Sequence, residues 1–209
     1  MVNSSEECEA EVRRLLADGA DASDLLWKSV AGFFGENCSP ERVKLLLEAG
    51  ANPNTFDPNF SDSKPLINAV FRRSGPEVVK LLLEAGADPN QGRTNGNLLI
   101  DALNHISITN DTEEYDVVAN THTVKLLLEA GADPNKGDEY GTPLLYAVNR
   151  GLGPEVVKLL LEAGADPNQA LEPTLLVEAL NHISITNDTE EYDVVTNTQT
   201  VKLLLEAGA

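Results

Sequence analysis

The sequence predicts an all-α fold, a solenoid of stacked turn–helix–helix units forming one domain over residues 1–209. Three observations point there. The phrase Leu-Leu-Leu-Glu-Ala-Gly-Ala recurs at 45–51, 81–87, 126–132, 159–165 and 203–209, after a weaker Leu15-Leu16-Ala17-Asp18-Gly19-Ala20. Its glycines, Gly19, Gly50, Gly86, Gly131, Gly164 and Gly208, are separated by 31, 36, 45, 33 and 44 residues. A period near 33 with variable excess is the signature of stacked supersecondary units that carry insertions. Each phrase also belongs to a segment too apolar to stand alone in water.

Divided on this period, the chain has an N-terminal half unit at about 4–22 and five helix pairs at 23–54, 55–90, 91–135, 136–168 and 169–209. Trp27, Phe33 and Phe34, near the start, are expected to seal that end. The second of the five carries its excess in the turn, Thr55 to Lys64. The fourth reads most plainly. Asp138 to Gly151 is a polar turn with a glycine, a Thr142-Pro143 helix start and a short helix. In Pro154 to Gly164, proline occupies the first helical turn, where its missing N–H costs nothing. Gly164 suits the left-handed position after the helix, and Pro167 blocks continuation. Only Glu155, Lys158 and Glu162 are polar between them, one narrow wet stripe. Neighbouring units have to cover the rest.

Two units, 91–135 and 169–209, are longer between their helices. Ala147 to Val157 is 10 residues, whereas Ala102 to Val124 and Ala179 to Val201 are each 22, so both carry 12 extra. Residues 98–132 and 175–209 are identical at 31 of 35 positions, differing at Ile100/Val177, Asp101/Glu178, Ala119/Thr196 and His122/Gln199. A two-unit block has been duplicated whole, by natural duplication or by consensus-type engineering. The insert, Thr109 to Asp116, is expected to be a solvated acidic loop anchored by Tyr115. It holds four acids in six residues but lacks the Asp-x-Asp-x-Asp-Gly pattern and turn glycine of a calcium loop. No metal or other cofactor is expected.

Turn, helix, helix at this period resembles the ankyrin repeat. Thr142-Pro143-Leu144, Ala147-Val148, Val156-Val157-Lys158-Leu159-Leu160-Leu161 and Gly164-Ala165-Asp166-Pro167-Asn168 carry the resemblance, which covers nearly the whole chain. The histidine that follows Thr-Pro-Leu in the family is replaced by Leu145, and by Ile67, Ile100 and Val177 at aligned positions. Turn-to-turn coupling is therefore expected to be weaker and more apolar. The resemblance implies a protein-binding module whose contact face is built from turn tips and inner helices. Mapped onto this chain, the tips present Phe56, Asp57, Phe60, Arg93, Asp138, Glu139, Tyr140 and Glu172. The inner helices present Trp27, Phe71, Arg72, Asn104, His105, Tyr146, Asn149, Arg150, Asn181 and His182. Aromatic and arginine side chains are the types enriched in binding hot spots.

Composition narrows the function. Of 209 residues 42% are hydrophobic, enough for a packed core. Thirty-four acids against 15 basic residues give a net charge of −19, a poor match to nucleic acid or an anionic membrane. No apolar run approaches a membrane span, and the N-terminus lacks a signal-peptide pattern. A cytoplasmic protein is expected. Only Cys8 and Cys38 are present, and Cys8 lies among glutamates that raise a thiol pKa. His105 and His182 recur because the block is duplicated, and His122 becomes Gln199 in the second copy. No Gly-x-Ser-x-Gly, phosphate-cradling loop or His-Glu-x-x-His occurs. The expectation is non-enzymatic recognition of a protein with a basic surface. Two alternatives stand beside it, an acidic decoy that mimics nucleic acid and an engineered scaffold with no physiological partner. The last helix, Val201 to Ala207, has an internal-type sequence, so its outer face is expected to pack on another chain, including by self-association, or on the continuation of a longer protein.

Overall fold

The computed structural model describes residues 5–33, 38–56, 64–92, 97–106, 114–169, 176–180 and 191–209, and the chain divides into two compact units, Met1–Thr94 and Asn95–Ala209. The first contains α1 (Ser5–Ala17), α2 (Ala22–Val30), α3 (Pro40–Glu48), α4 (Pro65–Phe71) and α5 (Pro76–Glu84). Pairing is sequential: α2 packs on α3 and α4 on α5, while α2 meets α4 and α3 meets α5. First and second helices thus form two layers. The second unit repeats this with α6 (Leu98–Asn104), α7 (Glu114–Glu129), α8 (Pro143–Asn149), α9 (Pro154–Glu162), α10 (residues 176–180) and α11 (Glu191–Glu206). Here α6 packs on α7 and α8 on α9, with α6 against α8 and α9 against α11. Among the described residues no helix is long and apolar enough to cross a membrane.

Local chemistry sets the helix boundaries. Proline opens α3, α4, α5, α8 and α9. Ser39, Asn97 and Thr142 accept N–H groups of the first turn through their side-chain oxygens, replacing bonds the helix itself cannot supply. The repeated Leu triplet is not uniformly buried. Its middle member, Leu46, Leu82, Leu127, Leu160 or Leu204, is 0% exposed in every copy. The flanking leucines are half-buried, except Leu205, which is exposed.

Most described helix ends, α6 excepted, follow one pattern, in which a residue with positive φ lets the next N–H reach back to a carbonyl five residues earlier. Gly151 does this after α8, at φ 60, with Leu152 N–H bonding the Ala147 carbonyl at 2.9 Å. The matching position after α4 is Arg73, at φ 54, with Ser74 N–H bonding the Ala69 carbonyl at 2.9 Å. A side chain in that region costs conformational energy that glycine avoids. Arg73→Gly is therefore expected to raise stability by about 0.5–1 kcal/mol, read as a higher urea midpoint at unchanged slope.

Two expectations are revised. The insert is not wholly a loop: residues 107–113 lie outside the described set, but Glu114 to Asn120 belong to α7, which has 16 residues against 9 in α9. The cause is visible in the sequence. The proline that starts α9, Pro154, is replaced by Thr121 in the longer unit, so nothing stops the helix from extending towards the N-terminus. Asn120 then ties this extension to α6, its side-chain amide donating to the His105 carbonyl at 2.8 Å. Coupling between successive repeats is also more polar than expected. Asn135 donates to the Gly164 carbonyl at 2.9 Å and accepts from Asp166 N–H at 2.7 Å. Asn54 bonds Gly86 and Asp88 in the same way, at 2.8 and 3.0 Å. These asparagines link the loop after one second helix to the loop after the next.

Candidate partner-binding surface

The best-formed exposed feature is the turn before α8. Asp138 and Gly141 form an isolated antiparallel bridge, with Asp138 N–H on the Gly141 carbonyl at 3.0 Å. Two glycines make this closure feasible. A Cβ on Gly137 would meet the Gly141 carbonyl oxygen at 2.5 Å, and one on Gly141 would meet Leu145 Cδ2 at 2.5 Å. Asp138 then organises the turn. Its Oδ1 accepts from Tyr140 N–H at 2.9 Å and Gly141 N–H at 3.2 Å. The Tyr146 hydroxyl, from α8, donates to the same carboxylate, at 3.0 Å to Oδ2. The turn is thereby tied to the helix beneath it.

This arrangement presents Tyr140. Its side chain is 74% exposed at the apex, with Glu139 exposed beside it. A large ring held outward by a hydrogen-bonded turn loses little conformational freedom on contact, which is what a binding anchor needs. Tyr146 is differently placed. Half-buried, its phenol is pushed up to about 12, by burial first and then by the Asp138 carboxylate that accepts its proton.

That shift has a measurable consequence. An unfolded chain ionises tyrosine near pH 10. Because the folded value is raised, the stabilisation is fully present below about pH 10 and is lost as pH climbs towards about 12. Tyr146→Phe is expected to flatten this part of the stability profile, measured by unfolding from pH 9 to 12 alongside ultraviolet titration of the phenolate.

The other sequence candidates separate into groups. His105, Asn149 and Arg150 lie at the far ends of α6 and α8 rather than at the tip. Arg150 is engaged within the fold: Nη1 donates to the Leu103 carbonyl and Asn104 Oδ1, both at 3.0 Å, and Nη2 to the Ile106 carbonyl at 3.3 Å. It caps the negative end of α6, where a cation is favoured. In the first unit the Arg72 guanidinium lies over Gly32, just past α2, so that a side chain at Gly32 would displace it. Phe56 and Phe71 are exposed, 54% and 52%. Trp27 is buried at 4%, with Phe33 against it at 5.3 Å between ring centres. Asp57, Phe60, Arg93, Glu172, Asn181 and His182 lie outside the described residues.

Burial pushes the Cys38 thiol up to about 11, with nearby Arg42 opposing, which suppresses the reactive thiolate. Among the described residues no three His, Cys, Asp or Glu side chains gather as a metal site. Sequence reasoning missed Gly137 and placed Asp138 among the tip contacts without seeing its part in closing the turn. The Gly137-x-x-x-Gly141 spacing around Asp138 was the available signal.

Comparison with known proteins agrees with this architecture. The family model described as "Ankyrin repeats (3 copies)" matches residues 117–171, and "Ankyrin repeat" matches 64–93. No curated protein matches the chain. Among solved structures, the crystal structure of an ankyrin repeat domain from Acinetobacter baumannii AYE, at 1.00 Å resolution, is similar, with 28% sequence identity and a TM-score of 0.60. The match covers 81% of this chain and 76% of that one.

Proposed function

Because the chain is an ankyrin-repeat protein, an all-α fold that generally serves protein–protein interaction, we propose that it is a non-enzymatic recognition module whose principal contact is the turn carrying Tyr140. The observation that supports this reading is the latched turn: a ring 74% exposed, held by an aspartate that is itself tied to α8. The partner is a protein with a basic, partly apolar surface. Glu139 and the net charge of −19 steer its approach, and the ring supplies buried area. Phe56 and Phe71 supply further apolar contacts, and Phe60, Arg93, His105, Asn149 and His182 complete the set of contact residues. Arg72, Tyr146 and Arg150 belong to the same set, and Tyr146 and Arg150 also brace the turn and α6 within the second unit. The protein works in the cytoplasm.

Affinity capture from the source cell with the whole chain as bait, eluted at low and then high salt, tests this. Charge–charge contacts between exposed groups are screened over roughly 10 Å at 0.1 M salt and 3 Å at 1 M. A ring-centred interface is expected to hold its partner through the high-salt step. Complete release there would favour an acidic decoy instead.

A further inference from the structure

Arginine stands in α3 where the other units carry small side chains. In the register of the Leu triplet, Arg42 corresponds to Val78, Thr123, Val156 and Thr200. All five positions are buried, and Arg42 is only 3% exposed. Its Nε and Nη1 lie buried without a hydrogen-bond partner. A further unmet group belongs to α2, the helix packed on α3: Ser29, in its last turn, has a buried hydroxyl with no partner. Residues 31–39 return the chain from that turn to the first turn of α3. Helical side chains lean towards the N-terminus, which carries the Arg42 guanidinium towards Cys38 and the start of α3. Its electrostatic effect on Cys38 agrees with that direction. No described acid answers it. Asp21 caps α2, Asp24 pairs with Lys28 at 2.8 Å, and the Cys38 thiol stays protonated at neutral pH.

We propose that the start of α3, with Arg42 and Ser29, is a binding site for a small oxyanion of the phosphate class, taken up as the first unit folds. A buried cation with unmet donors is costly, and the cost falls when a counter-charge accepts its hydrogen bonds. An oxyanion with several acceptor oxygens meets guanidinium and hydroxyl donors together, and the N-terminal end of a helix favours the same charge. The net charge of −19 does not prevent this, because exposed charges are screened over roughly 10 Å at 0.1 M salt. The site lies in the first unit, whereas the Tyr140 turn lies in the second, and it does not depend on what binds there.

The probe is inorganic phosphate, applied to the whole chain in chloride buffer of fixed ionic strength. Equilibrium dialysis against labelled phosphate is expected to show one ion bound per chain. The thermal midpoint should rise by several degrees at saturating phosphate, because a ligand that binds only the folded chain stabilises it. Arg42→Val supplies the residue found at Val78 and Val156, so this variant is expected to fold, to bind no phosphate and to melt at one temperature with or without it. Arg42→Lys keeps the charge but not the fork of donors, and should weaken binding about tenfold. Ser29→Ala should weaken it by a smaller factor. A native chain that binds no phosphate, with a midpoint that ignores it, would overturn the proposal. So would a phosphate effect that survives in Arg42→Val. If Glu36→Gln lowers the midpoint of the native chain but not that of Arg42→Val, and phosphate does nothing, the counter-charge is the chain's own carboxylate and the proposal fails.

Discussion

Tyr140→Ala is expected to weaken partner binding by about 2 kcal/mol or more, roughly a thirtyfold rise in Kd, while the fold is unchanged. The side chain is 74% exposed, and its backbone N–H, not its ring, takes part in the latch to Asp138. Removing the ring therefore subtracts contact area without loosening the turn. Tyr140→Phe should retain most of the affinity if ring burial is the source, and titration calorimetry on the three proteins separates the cases. Glu139→Gln, one residue away, is expected to act mainly on the association rate and its salt dependence, since an exposed rim charge steers approach more than it holds the complex.

A comparable change inside the stack acts on stability instead. Leu160→Ala is expected to cost about 3 kcal/mol, because the side chain is fully buried and its removal forfeits both transfer free energy and packing around the cavity left behind. Leu161→Ala, the next residue on α9, is only half-buried and should cost clearly less. Chemical denaturation of the two variants checks the contrast. Equal losses would mean that the triplet does not have the burial pattern described for it.

Much of the fold was legible because glycine ends the second helix of every unit and proline opens that helix in three of them. Gly164 and Pro154 bracket α9 as their chemistry requires, and the same spacing recurs at Pro40–Gly50 and Pro76–Gly86. The extension of α7 was harder to read. Twelve extra polar residues look like a loop, and the decisive feature was an absence, the lack of a proline at Thr121 to stop the helix. The arginines show another limit. Arg150 is exposed and has the character of a binding residue, yet its donors reach carbonyls 44 and 47 positions earlier. No local pattern reveals that pairing, because it depends on how one repeat places the end of the previous helix. The structural part of Asp138 was hidden for a similar reason: its charge is plain in the sequence, but the three hydrogen bonds its carboxylate accepts depend on closure of the turn between Gly137 and Gly141.

The reading rests on a ring-centred contact at the turn before α8 rather than on charge spread over the surface. The most direct measurement is the affinity ratio of the native protein to Tyr140→Ala for the captured partner, determined at about 0.1 M and 1 M salt. The expected ratio is about thirtyfold at both concentrations, even as both absolute affinities fall with salt. A ratio near one at either concentration, with binding that follows only the salt, would contradict it.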